Sequence, residues 1–92
     1  MNNIKPHTPG ELGKLIAGNL RGRRKNYKLS MQRLAELSGV SFGSVRRFEE
    51  TGEISLMSLL KIAIVLDSAD EFAQLFEVQE PRSIMEIIDG NL

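Results

Sequence analysis

The 92-residue chain contains no cysteine, no tryptophan and one histidine, His7. Without cysteine there is no disulfide scaffold, no thiolate zinc site and no thiol catalysis. A single imidazole cannot by itself build a metal centre or a catalytic triad. No apolar run reaches the ~18 residues that signal a membrane span. Residues 1–20 lack the basic start and apolar stretch of a secretory signal. These absences point to an intracellular, cytoplasmic binding domain with no enzymatic activity, no cofactor and no membrane contact. A phosphate-loop reading of Gly10-Glu11-Leu12-Gly13-Lys14 fails on spacing.

Enough apolar residues remain for a core. Ile, Leu, Val and Phe account for 28 of the 92 positions, well above the ~20% level that suggests disorder. The length fits one domain, expected over residues 8–78, with a loose tail at 1–7 and an extension at 79–92. So short a chain buries only ~60–65% of its unfolded surface, so its stability is modest and a partner adds to it.

The net charge of zero conceals a segregation. Residues 1–47 hold ten basic and two acidic side chains, and residues 48–92 hold two basic and ten acidic ones. A basic half of this kind suggests a face for a polyanion.

Helical periodicity runs through the chain, and no stretch alternates long enough to be a strand. Thr8-Pro9-Gly10-Glu11 is a capping box with proline at the first helical position. Leu12, Leu15, Ile16 and Leu20 continue that first helix to about Lys25. A second helix opens at Ser30, carries Leu34, Ala35 and Leu37, and stops at Gly39. A third opens at Ser41, carries Val45 and Phe48, and fades at Thr51-Gly52. A fourth opens at Ser55, with Leu56, Leu59, Leu60, Ala63 and Leu66 expected to face inward. A fifth begins near Ser68, with Glu71 as its capping partner, and is expected to bury Phe72, Leu75 and Phe76. Past Pro81, Ser83-Ile84-Met85-Glu86 is a further capping box, and Ile84, Ile87 and Ile88 follow at helical spacing. These isoleucines suit either the core or a partner surface. The nearby Glu77, Glu80, Glu86 and Asp89 repel DNA and favour a second subunit or a partner protein.

Two short helices joined by a glycine-containing turn read as a helix-turn-helix. Ala35 is small where the next helix crosses. Gly39, four positions on, tolerates positive φ. Val45, six further on, anchors the second helix in the core. A recognition helix places its N-terminal residues against base edges in the major groove. Arginine there reads guanine bidentately, and phenylalanine packs only on a thymine methyl. Phe42 fits that contact or packing within the protein. Gly43 allows close backbone approach. Arg46 and Arg47 lie on the face away from Val45 and Phe48. Arg21, Arg23, Lys25, Lys28 and Arg33 can position a duplex without reading it.

Residues 29–66, LSMQRLAELSGVSFGSVRRFEETGEISLMSLLKIAIVL, resemble the Cro/cI-type helix-turn-helix regulators of the XRE family. The resemblance implies an all-α, five-helix, lambda-repressor-like DNA-binding domain with a short C-terminal helical tail. Base-reading positions then fall on Ser41, Phe42, Gly43, Arg46 and Arg47, with Ser44 in the same stretch. Phe42 and Gly43 depart from the polar pair common in repressors. Met31 stands where the family has a phosphate-contacting glutamine, and Gln32 is next in line for that contact. Ser38 replaces a usual apolar residue. Arg24 and Glu49 match a buried ion pair of the family. The Phe48–Leu56 stretch, the Phe72–Phe76 segment and the tail look most like HipB-like antitoxins paired with HipA-type kinases. The resemblance implies a sequence-specific transcriptional regulator, a repressor that binds a double-stranded operator; symmetry economy and the small monomer point to a homodimer on a two-fold site. The alternative is an antitoxin that neutralises a HipA-like kinase and autoregulates its operon.

Overall fold

The computed structural model describes residues 8–79, and over that range the chain is all helical. Five helices follow one another: α1 (Pro9–Asn26), α2 (Met31–Ser38), α3 (Phe42–Thr51), α4 (Leu56–Val65) and α5 (Ala69–Ala73). The expected tail at 1–7 and the capping box at 83–86 lie outside the described residues.

A hydroxyl starts each of the first four helices. Thr8 Oγ1 accepts from Glu11 N at 3.1 Å while Thr8 N donates to Glu11 Oε1 at 3.0 Å, completing the capping box. Ser30, Ser41 and Ser55 each accept from the amide three residues on, at 3.0, 3.1 and 3.1 Å. Each bond satisfies an amide that the helix cannot pair internally. Positive-φ residues close α2 and α3, at Gly39 (φ 76°) and Gly52 (φ 82°). Lys28 takes the same conformation after α1 (φ 57°), letting Leu29 N return to Arg24 O at 3.1 Å.

Each of the first four helices places residues in one core. Ala17 and Leu20 come from α1, Leu34 and Ala35 from α2, Val45 and Phe48 from α3, Ile62 and Ala63 from α4, joined by Val40 and Leu66. Helix α1 packs on α3, α2 on both α3 and α4, and α4 on α5. The α1–α3 seat is backbone against backbone. A Cβ built on Gly52 lies 2.5 Å from the carbonyl carbon of Gly13 and 2.7 Å from Lys14 N. Glycine is therefore required there for space as well as for φ.

Two expectations are corrected. Leu56 does not face inward; it is 66% exposed, Leu60 is half-buried, and Ile62 is buried instead. Helix α4 is apolar on nearly every side, so its sequence carries no polar face from which to phase the buried arc. Leu56 is also its first residue, where the inward stripe outruns its cover. The fifth helix ends early at Ala73, leaving Phe72 half-buried, Leu75 51% exposed and Phe76 95% exposed at φ 60°. Its capping box does not form. The Ser68 hydroxyl donates to Leu66 O at 3.0 Å and accepts from Arg23 Nη1 at 2.8 Å, and the Glu71 carboxylate is taken by Arg23 as well.

Candidate nucleic-acid interface

The turn between α2 and α3 is short because Gly39 reverses the chain and Ser41 starts the next helix at once. Val40 between them is buried, which ties the turn to the core. Val45 and Phe48 take the inner side of α3. Its N-terminal stretch Ser41, Phe42, Gly43 and Ser44 is exposed, together with Arg46 and Arg47. Phe42, first residue of the helix, is 40% exposed and so does not pack into the core. A Cβ on Gly43 meets nothing within 4 Å, which leaves an open approach to the α3 backbone. The Ser41 hydroxyl donates to Ser44 Oγ at 2.9 Å while capping the helix, so both hydroxyls are already oriented.

The exposed arginines are held by carboxylates. Arg46 Nε donates to Glu50 Oε2 at 3.0 Å, Arg47 Nη2 to Glu53 Oε1 at 2.5 Å, and Arg33 Nη1 to Glu36 Oε1 at 3.1 Å. All three pairs are well exposed. Such surface pairs are worth ~0–1 kcal/mol, so a phosphate or a guanine edge can displace the carboxylate. Glu50 and Glu53 were not among the expected site residues; the i, i+4 spacing of Arg46 and Glu50 was the available signal. Beside Arg47, an open cleft of about 440 Å³ is lined by Ser44, Glu53, Ile54, Ser55 and Ser58, a rim with no local sequence signal.

On α2, Gln32 and Arg33 are exposed, while Met31 is half-buried against the core. The side chain at 31 therefore serves packing, and Gln32 is the exposed neighbour. Lys25 and Lys28 are exposed and form no salt bridge with any described residue.

Arg24 and Glu49 lie behind this face. Arg24 Nε and Nη2 donate to the two Glu49 carboxylate oxygens at 2.6 and 2.8 Å, and Nη1 donates to Leu29 O at 2.7 Å. Both side chains are buried, at 9% and 8% exposure. Arg21 approaches the same carboxylate at 3.8 Å. One guanidinium thus joins α1, the α1–α2 turn and the end of α3.

Arg23 is removed from the set of duplex-positioning residues. Its guanidinium is committed to Ser68 and Glu71, binding α5 to α1. The hydrogen bond from Arg23 holds the Glu71 carboxyl below the usual carboxylate range, and the same bond raises Arg23.

Among the described residues no cluster of His, Cys, Asp and Glu could hold a metal ion, and no helix is long and apolar enough to cross a membrane. A family model described as helix-turn-helix matches residues 20–72. No curated protein matches the chain.

Proposed function

The chain belongs to the helix-turn-helix family, whose match spans all of α2 and α3 and more than half the sequence, and on that premise we propose that this DNA-binding regulator is a repressor that binds a two-fold operator as a homodimer. The observation that carries the reading is the division of α3. Val45 and Phe48 anchor it, while its N-terminal residues and two arginines stand free of the core. In this proposal Arg46 and Arg47 read base edges and Phe42 packs on a thymine methyl. Ser41 and Ser44 contact the backbone or base edges beside them, and Gly43 lets the helix approach closely. Gln32, Lys28 and Arg33 bind phosphates and set the register.

The dimer is proposed from two considerations. Closed two-fold pairing is the commonest oligomeric arrangement, and half-sites then fall about one helical turn apart. Helix α4 supplies apolar surface for it: Leu56, Met57 and Ile64 are 66, 64 and 67% exposed. The antitoxin alternative rests on the resemblance, and no feature of the fold favours it over the regulator.

The test is a mobility-shift titration on the DNA upstream of the chain's own gene, repeated across salt concentrations. Specific binding whose logarithm falls linearly with log salt, at about −0.9 per phosphate contacted, supports the reading. No binding, or an affinity flat in salt, overturns it. Sedimentation of a Met57→Glu, Ile64→Glu variant tests the dimer: a species unchanged from the parent chain removes α4 from the interface.

A further inference from the structure

We propose that residues 83–88 dock, through Ile84, Ile87 and Ile88, into the groove between α1 and α5 of their own chain. The groove has a volume of about 310 Å³, and Ile16, Leu20, Phe72 and Leu75 form its apolar wall. Asn19 and Arg23 stand among its polar lining. Within the described residues this wall is incompletely covered: Ile16 and Phe72 are half-buried and Leu75 is 51% exposed.

Two observations select the occupant. The first is where the chain goes. Leu75 lines the groove and the described residues end at Gln79, so Ile84 follows Leu75 by nine residues. Nine residues extend to about 30 Å at most, which leaves the groove within reach of the isoleucines. A segment tethered this closely reaches an effective concentration of about millimolar, without a second molecule having to be captured.

The second is the pattern. Isoleucines at i, i+3 and i+4 form one face of a helix, the spacing by which helices enter apolar grooves. A capping box at Ser83 and Glu86 favours that helix, yet so short a helix is not stable alone. It requires a surface such as this one.

The docked segment extends the cover of α5, a five-residue helix with no buried residue of its own.

The absence of native cysteine makes the test direct. A nitroxide on Met85→Cys in the full chain reads the groove by relaxation of backbone amide NMR signals. A second variant carries the label at Asn19→Cys and reads the methyl groups of the three isoleucines. The expected result is broadening centred on Ile16, Leu20, Phe72 and Leu75 and weaker towards α2 for the first label, and strong broadening of the Ile84, Ile87 and Ile88 methyl groups for the second. Adding Ile84→Glu and Ile88→Glu should abolish both effects while leaving the α3 signals in place. Broadening that persists at full strength when spin-labelled chain is mixed with separately isotope-labelled chain overturns the proposal in favour of a second copy. Weak, uniform broadening from both labels overturns docking altogether. Neither result bears on DNA binding, so this inference and the regulator reading stand or fall separately.

Discussion

The glycines permit a graded experiment in which one contact is isolated. At Gly39 and Gly52 the backbone has φ of 76° and 82°. Alanine at either position therefore incurs the left-handed penalty, about 1–2 kcal/mol. Their surroundings differ. A Cβ at Gly39 meets nothing within 4 Å, whereas one at Gly52 falls 2.5 Å from Gly13 C, 2.7 Å from Lys14 N and 2.9 Å from Gly13 O. Those neighbours are backbone atoms of α1 and cannot rotate aside. The helix must translate, and overpacking of this kind costs about 1–3 kcal/mol. Gly39→Ala should therefore lose about 1–2 kcal/mol and Gly52→Ala about 2–5 kcal/mol. For a domain of this size, whose total stability is on the order of 5–15 kcal/mol, the second loss is severe. Gly18→Ala is the control of opposite sign. Gly18 is exposed inside α1 with nothing within 4 Å. Alanine there should gain about 0.5–1 kcal/mol. Urea unfolding followed by circular dichroism, with a common m-value, measures all three. Equal losses at positions 39 and 52 would refute the backbone contact between α1 and the end of α3.

Three further outcomes are expected. Arg24→Met strands the buried Glu49 carboxylate and should cost about 3–5 kcal/mol, read by the same unfolding assay; a loss no larger than that of an exposed pair would show the bridge carries little. Because Arg23 holds Glu71 below its ordinary value, the charged carboxylate favours the folded state: the stabilisation is present at neutral pH and disappears as pH falls through the lowered value. Protection of α5 amides against hydrogen exchange, corrected for the intrinsic rate, should accordingly fall in acid, and Glu71→Gln should remove that pH dependence; an unchanged acid response in the variant would assign it to another group. On DNA, Arg46→Ala or Arg47→Ala should weaken specific binding by about 1–3 kcal/mol, while Arg21→Ala or Lys25→Ala should weaken all sequences alike. If mobility shifts show the two groups behaving identically, the reading surface is misplaced.

The legible parts of the chain were those governed by local chemistry. Thr8 with Glu11, and the serines at 30, 41 and 55, are short-range devices whose partners lie within three residues, so spacing alone locates four helix starts. Gly39 and Gly52 mark ends for the same reason. Ser68 and Glu71 show the same spacing, yet their partner is Arg23, more than forty residues away, and a long-range hydrogen bond overrides the local motif. In α4 the difficulty is different: with Ser58 and Lys61 its only polar residues, there is no contrast to show that Ile62 rather than Leu56 is buried. At the candidate site, Val45 and Phe48 indicate which side of α3 turns outward. The partners of its arginines were only half visible, since Glu50 lies at helical spacing from Arg46 but Glu53 reaches Arg47 across the helix end.

The Arg24 guanidinium has a consequence for how this domain meets any ligand. It grips the end of α3, and through Leu29 O it also fixes the approach to α2. The two helices of the motif are thereby referenced to one point on α1, and α3 cannot tilt without breaking a buried bidentate bond. A face fixed in this way loses little conformational entropy on association, which is the advantage of preorganisation. It also gives up adaptability. Where a bound duplex departs from the curvature that α2 and α3 jointly present, the deformation falls on the nucleic acid, and sequences that bend at low cost are favoured even at base pairs that no side chain touches.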